Sequence, residues 1–235
     1  MDKIPIVVGV SGHRDLQDQD IPKLEEIVRD ELKNLMNSYP HSPFSMLSSL
    51  AEGADQLCAK IAIELGIDLI CILPQDLDDF KRDFEGDALS KFEKYLSYAE
   101  DYFVAPNTES IATLNSLKGS LSDEDFYRKI RHFGYRQAGI YVSKHSHVLL
   151  ALNEGKTPSD DGCGTAEAID FVLNQNYEDV QDPYFKTANY GSVIEIRTPR
   201  VKNPNVEYPF KVSILPNKNK LENILKRTDD FNKDY

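Results

Sequence analysis

Short, β-branched apolar runs alternate with stretches of helical spacing along this chain, and that alternation limits the folds open to it. The first run, Ile4-Pro5-Ile6-Val7-Val8-Gly9-Val10, is apolar on both faces, as a buried parallel strand requires. From Ile21 to Met36 the apolar residues Ile21, Leu24, Ile27, Val28, Leu32, Leu35 and Met36 fall on one helical stripe. Asp20 is placed to cap that helix, and Pro22 fits its first turn. Beyond the proline-bounded loop Tyr39–Pro43, Phe44 to Leu50 reads as a second strand. Next comes a helix with Leu57, Ala59, Ile61, Ala62 and Leu65, stopped by Gly66. Ile67 to Leu73 is the third strand, closed by Pro74. Strand–helix–strand units with short links build a parallel sheet, because parallel neighbours need a crossover. The predicted fold is α/β: a Rossmann-like, doubly wound, mostly parallel sheet with helices on both faces.

The later chain extends the pattern. Gln75 to Glu100 is acidic and aromatic and suits one or two helices, and Asp101 to Ala105 a short strand. Pro106 to Ser122 is polar and irregular, an exposed excursion. Glu124 to Ser143 reads as a long helix, His147 to Asn153 as a buried strand and Ala166 to Leu173 as an apolar helix. Asn174 to Tyr190 is loop-like, and Ser192 to Arg197 and Phe210 to Leu215 are late strands. The organisation expected is one domain over 1–216, with a charged helix or tail over 217–235.

A length of 235 residues with 40% hydrophobic and 28% charged content supports one sizeable core. The net charge of −12, without a basic cluster, would repel DNA or RNA, so no nucleic-acid partner is expected. A small phosphorylated ligand needs only a local basic pocket. No apolar run is long enough to span a membrane and the N-terminus lacks a signal-peptide pattern, so no direct membrane contact is expected. The three cysteines, Cys58, Cys71 and Cys163, form no CxxC pair, which suits reduced thiols in a cytoplasmic setting. No cofactor motif is present.

Three apolar strands run into polar, glycine-bearing loops: Gly9-Val10-Ser11-Gly12-His13-Arg14, Ser49 to Asp55, and Asn153 to Glu167. In a parallel sheet all three open on one edge. Glycines let backbone approach a ligand, Ser11 and Thr165 offer hydroxyls, and Arg14 offers a planar fork for phosphate or carboxylate. Two of the loops enter helices, whose free N–H groups and dipole favour an anion. The plain alternative is that every such domain has strand-to-helix turns, and that Glu52 and Asp55 are first-turn charges.

Taken in order, Gly9-x-Ser11-Gly12-His13-Arg14, Ala51-Glu52-Gly53-Ala54-Asp55, Tyr135-Arg136 and Gly162-x-Gly164-Thr165-Ala166-Glu167 resemble the SLOG superfamily. Its members are Rossmann-like domains related to LOG phosphoribohydrolases and DNA-processing Smf proteins. The resemblance covers about the first three quarters of the chain. It implies a nucleotide or nucleotide-derived ligand over the glycine-rich loops. Many bacterial relatives are inferred sensors in antiphage systems that bind a signal such as an ADP-ribose derivative and switch a TIR, sirtuin-like or membrane-pore effector. Residue by residue, it implies Gly9, Ser11, Gly12, His13 and Arg14 at the first phosphate loop, with Ser49, Glu52, Gly53 and Asp55 at the second. Gly164 and Thr165 would hold phosphate, Asn153 and Gly162 would also touch the ligand, and Glu167 would face ribose or base. Arg136 would meet a phosphate and Tyr135 would stack.

The chain departs from the hydrolase pattern Gly-Gly-x-Gly-Thr-x-x-Glu. Ala168 stands where the catalytic carboxylate belongs, and Asp161 replaces the leading glycine. His147 stands where many relatives carry aspartate. A shift of one residue on a helix turns a side chain by about a hundred degrees. Sensing is therefore expected rather than catalysis; the alternative is a LOG-like nucleotide phosphoribohydrolase using Glu167. Related domains pair through helices, which implies a homodimer or larger.

Lesser candidates have plainer readings. His145 and His147 have a spacing that on a strand would place both on one face, but they lack a completing ligand set for a metal. Cys163 at a helix start is a small loop residue or a reactive thiol. Lys156 is a phosphate ligand or a solvated lysine. Phe80, Phe84, Tyr95 and Tyr98 suit packing better than a base-stacking cage.

Overall fold

The computed structural model describes residues 4–106, 116, 118, 120, 122–158, 164–174 and 191–215. Among them, in chain order, lie β1 (Ile6–Gly12), α1 (Ile21–Ser38), β2 (Phe44–Ser48), α2 (Ala54–Glu64), β3 (Asp68–Leu73), α3 (Leu77–Lys81), α4 (Gly86–Leu96) and β4 (Asp101–Val104). Then follow α5 (Asp123–His145), β5 (Val148–Asn153), α6 (Thr165–Asn174), β6 (Ser192–Arg197) and β7 (Val212–Leu215). The strands form one sheet in the order β4-β3-β2-β1-β5-β6-β7. Every neighbouring pair is parallel except β6 and β7, which are antiparallel. This is the Rossmann-like, doubly wound α/β architecture that the alternation predicts.

The winding starts at β1 and runs outward through β2, β3 and β4, then returns to add β5, β6 and β7 on β1's other side. With crossovers of one hand, strands added in opposite directions put their helices on opposite faces. The two cores follow that rule. Val8, Val10, Met46, Leu69, Cys71, Leu150 and Leu152 face α1, α2 and α4, with Phe80 of α3. Their alternates Leu47, Ile72, Leu149 and Ala151 face α5 and α6 through Ala138, Val142, Ala168, Ile169 and Val172.

Several local expectations shift. Ile4 is 85% exposed and lies outside the sheet, which starts at Ile6. Asp20 makes no side-chain cap, because a 3-10 turn over Asp18–Asp20 leads into α1. Ser122 does cap α5, accepting from the Asp125 N–H at 3.1 Å. Phe80, Phe84, Phe92 and Tyr95 pack in the core, whereas Tyr98 is 60% exposed. The tail over 217–235, the loop at 175–190 and most of 106–122 lie outside the described residues.

Gly9 and Gly134 set how close α5 comes. A Cβ on Gly9 would stand 2.1 Å from Ser146 Oγ and 2.8 Å from Val142 Cγ1. A Cβ on Gly134 would stand 2.1 Å from the Pro74 carbonyl oxygen. The helix thus lies against the carboxyl end of β3 at one point and against mid-β1 at another. His145 and His147 sit at the amino ends of the strands, away from the loops. The Val7 N–H donates to His147 Nδ1 at 2.9 Å, and the His145 ring meets the Tyr141 carbonyl of its own helix.

Candidate functional site

The strand order reverses between β1 and β5, and in open α/β sheets the crevice beyond the carboxyl ends at such a point is where ligands bind. The first two loops touch there. A Cβ on Gly12 would lie 2.3 Å from Ala54 Cβ and 3.0 Å from Leu152 Cβ. Gly53, at φ +83, has its backbone against the carbonyls of His13 and Arg14, where a Cβ would come within 2.6 and 2.3 Å. The Ala54 N–H at the start of α2 donates to the His13 carbonyl at 3.0 Å, and the Gln56 N–H to Ala51. These α2 amides are thus satisfied by the chain rather than offered to an anion.

The second loop is tied down by its own polar groups. Asp55 Oδ2 accepts from Ser48 Oγ and from the Ser49 N–H, both at 3.1 Å. Ser48 Oγ in turn accepts from the Leu50 N–H at 3.0 Å, and Gln56 Nε2 donates to the Leu50 carbonyl. Leu50 is buried with a left-handed φ of 53, a conformation that costs a non-glycine residue about 1 kcal/mol or more. Burial pushes the Asp55 carboxyl up to about 6, against the pull of the Ser48 hydroxyl, the Arg14 charge and the Ser49 amide.

Above the crevice stands a cluster anchored on Asp83. Arg131 of α5 pairs with Asp83 Oδ1, and the Tyr135 hydroxyl donates to Asp83 Oδ2, which Gln75 Nε2 also reaches at 3.3 Å. Burial first, and the Asp83 contact second, push the Tyr135 phenol up to about 12, so it stays a donor. Arg14 lays its guanidinium over the Tyr135 ring, 4.7 Å from the centroid.

On the β5 side, Asn153 is almost wholly buried; its Nδ2 donates to Glu195 Oε1 of β6 at 2.9 Å, and Arg197 holds Glu195 Oε2 at 3.3 Å. Gly155, at φ +88, makes room for Arg197, whose Nη1 would be 1.4 Å from any Cβ there. The Glu154 N–H donates to His13 Nε2 at 3.1 Å, while Arg200 Nη1 lies 3.3 Å from His13 Nδ1. A neutral imidazole accepts at only one nitrogen, so a ring set between two donors resists protonation. Burial first, and the Arg200 charge second, lower its pKa. Arg200 also pairs with Asp15 at 2.6 Å and Glu154 at 3.4 Å, and Asn203 Nδ2 donates to Glu154 at 2.6 Å.

At α6, Thr165 is buried and Glu167 pairs with Arg136 Nε at 3.1 Å. Ala168 is in the apolar core under the helix, so a carboxylate at that position would face the sheet rather than the crevice. An added Cβ on Gly164 would meet open space. Gly162, Cys163 and Asp161 lie outside the described residues.

A pocket of about 340 Å³ opens beside the first two loops. Arg14, Glu52 and Gly53 line it, as do Lys60 and Lys91, which pair with Glu25 and Asp87 of the same wall. Thr165, Glu167 and Asn153 are not in its wall. The predicted residues therefore fall in two groups on either side of β1, linked where Arg14 crosses to Tyr135. Ser11 pairs with Ala151 in the sheet between them, and Gly9 lies deeper, under α5. Asp83, Glu154, Glu195, Arg197 and Arg200 were not anticipated. One signal was present: Glu195 interrupts an otherwise apolar strand, and a buried carboxylate requires partners.

No protein-family model matches this chain, and no curated protein does. Among solved structures, DNA processing protein A (DprA) from Streptococcus pneumoniae is similar over 66% of this chain and 44% of its own, with 17% identity and a TM-score of 0.38. The match spans less than half the length of that protein.

Proposed function

We propose that this chain is a ligand-sensing domain that binds a nucleotide or nucleotide-derived messenger at the carboxyl edge of its sheet. One observation supports this reading above the rest. Among the described arginines, Arg14 alone has no carboxylate partner, while Arg131, Arg136, Arg197 and Arg200 around it are all ion-paired. An exposed guanidinium pre-oriented on an aromatic face at a switch point suits a phosphate. Neighbouring strands are about 4.8 Å apart, so the walls flanking β1 are about 10 Å apart, the reach of a mononucleotide.

The SLOG resemblance extends the proposal to antiphage defence, to coupling with a fused or associated effector, and to a homo-oligomer. The test is thermal denaturation with AMP and ADP-ribose. A ligand at a hundred times its Kd stabilises the native state by about 2.7 kcal/mol. Arg14→Ala is expected to weaken binding by about tenfold or more. An unchanged shift in that variant refutes the assignment. Release of free base from AMP, abolished by Glu167→Gln, would instead establish the hydrolase.

A further inference from the structure

We infer that the pocket of about 340 Å³ beside the first two loops takes the base of the ligand, and that Gln56 selects a base bearing an exocyclic amino group. This rests on the proposed nucleotide site and names the class of nucleotide it takes.

The rim and the inner wall of the pocket differ in chemistry. Arg14, Asp18, Glu52, Asp87 and Lys91 are exposed at the rim, whereas Leu16, Leu57, Ala88 and Tyr95 are buried. Gln56 is the polar member of that buried set, at 4% exposure. An apolar wall carrying a few oriented polar groups is the usual make-up of a small-molecule pocket. Gln56 Nε2 donates to the Leu50 carbonyl at 3.3 Å and to the Ala88 carbonyl at 3.0 Å, which uses both amide protons. The amide cannot turn over, because its oxygen would then face two carbonyl oxygens. Oε1 is therefore a fixed acceptor, and it accepts from no group among the described residues. Nor is it one of the buried polar atoms that lack a partner, so it is open where Gln56 lines the pocket.

Charge sets which end of a nucleotide enters. The wall carries four carboxylates, on Asp18, Glu25, Glu52 and Asp87, against three cations, on Arg14, Lys60 and Lys91. Lys60 and Lys91 are occupied by Glu25 and Asp87. A phosphate is therefore repelled from the interior and stays at the mouth on Arg14, while the neutral base goes in. An amino group on that base donates to Oε1. A ring carbonyl in the same place sets oxygen against oxygen, and the fixed amide cannot adjust to it.

The experiment compares AMP with IMP, and adenosine with inosine, by calorimetry on the full chain. AMP is expected to bind about tenfold or more tightly than IMP, with the same preference between the nucleosides. Gln56→Leu removes the acceptor and should bring AMP and IMP to equal affinity. Because that variant also deprives two carbonyls of their donor, photolabelling of the unmodified chain with 8-azido-AMP is the second measurement. Its adducts should fall within residues 53–60 or 87–95. If AMP binds but IMP binds as tightly, or if the label falls on α5 or α6, this inference is wrong and the nucleotide site stands. If adenosine is preferred to inosine while the phosphate adds nothing and Arg14→Ala changes nothing, the base pocket stands and the phosphate assignment is wrong. If neither AMP nor adenosine binds, both are wrong.

Discussion

Asp55 is buried and accepts hydrogen bonds without an ion-pair partner among the described residues, so its ionisation works against folding. Its pKa rises from 3.8 unfolded to about 6 folded. The folded state then binds the proton more tightly, so this group's stabilisation is complete below pH 3.8 and is lost as pH rises through 6. The loss by pH 7 is on the order of 3 kcal/mol. An asparagine side chain at this position still accepts from Ser48 and Ser49 but carries no titrating proton. Asp55→Asn should therefore flatten the fall in stability between about pH 4 and 7 when urea unfolding is measured at both. His13 acts in the opposite sense: its lowered pKa makes protonation unfavourable for the fold as pH drops below its ordinary 6.5. At this scale the sequence was partly legible. Arg14, Glu52 and Gly53 could be read from a polar loop after an apolar run. The ion pairs that occupy Arg136 and Glu167, and the use of Gly9 as packing space, depend on α5 and α6, whose docking no local pattern encodes.

At the scale of elements, α5 is the part on which the proposed site depends. It supplies Tyr135 to Arg14 and Arg136 to Glu167, and its fit to the sheet rests on Gly134 against the Pro74 carbonyl. Backbone cannot yield as a flexible side chain does. Gly134→Ala is therefore expected to cost about 1–3 kcal/mol in chemical denaturation and to weaken nucleotide binding as Tyr135 moves away. Gly139→Ala, where an added Cβ meets nothing within 4 Å, is the control and should leave both unchanged or gain slightly in stability. Element existence was largely legible because apolar runs and helical stripes have different periods. The boundaries were less so. Phe44 to Leu50 reads as one continuous strand, yet it stops at Ser48 because the Ser48–Asp55 contacts turn the chain and force Leu50 into a left-handed conformation.

Across the whole molecule, a net charge of −12 surrounds a site proposed to take an anion. Long-range repulsion slows encounter, and salt screens it over about 10 Å at 0.1 M. The association rate for AMP, followed by stopped flow, should therefore rise between about 10 and 150 mM salt, whereas a site in a positive field would slow. Strand order is the property least legible from sequence. That β5 returns to pair with β1 depends on contacts across more than a hundred residues, and only the number of parallel units could be inferred. The His13 carbonyl over the first amide of α2 has a wider consequence. Where main-chain groups recognise an anion, altering the preference means rebuilding a loop. In the proposed site the recognising charge sits on one exposed side chain, so a single codon would retune which molecule is bound without rebuilding the loop.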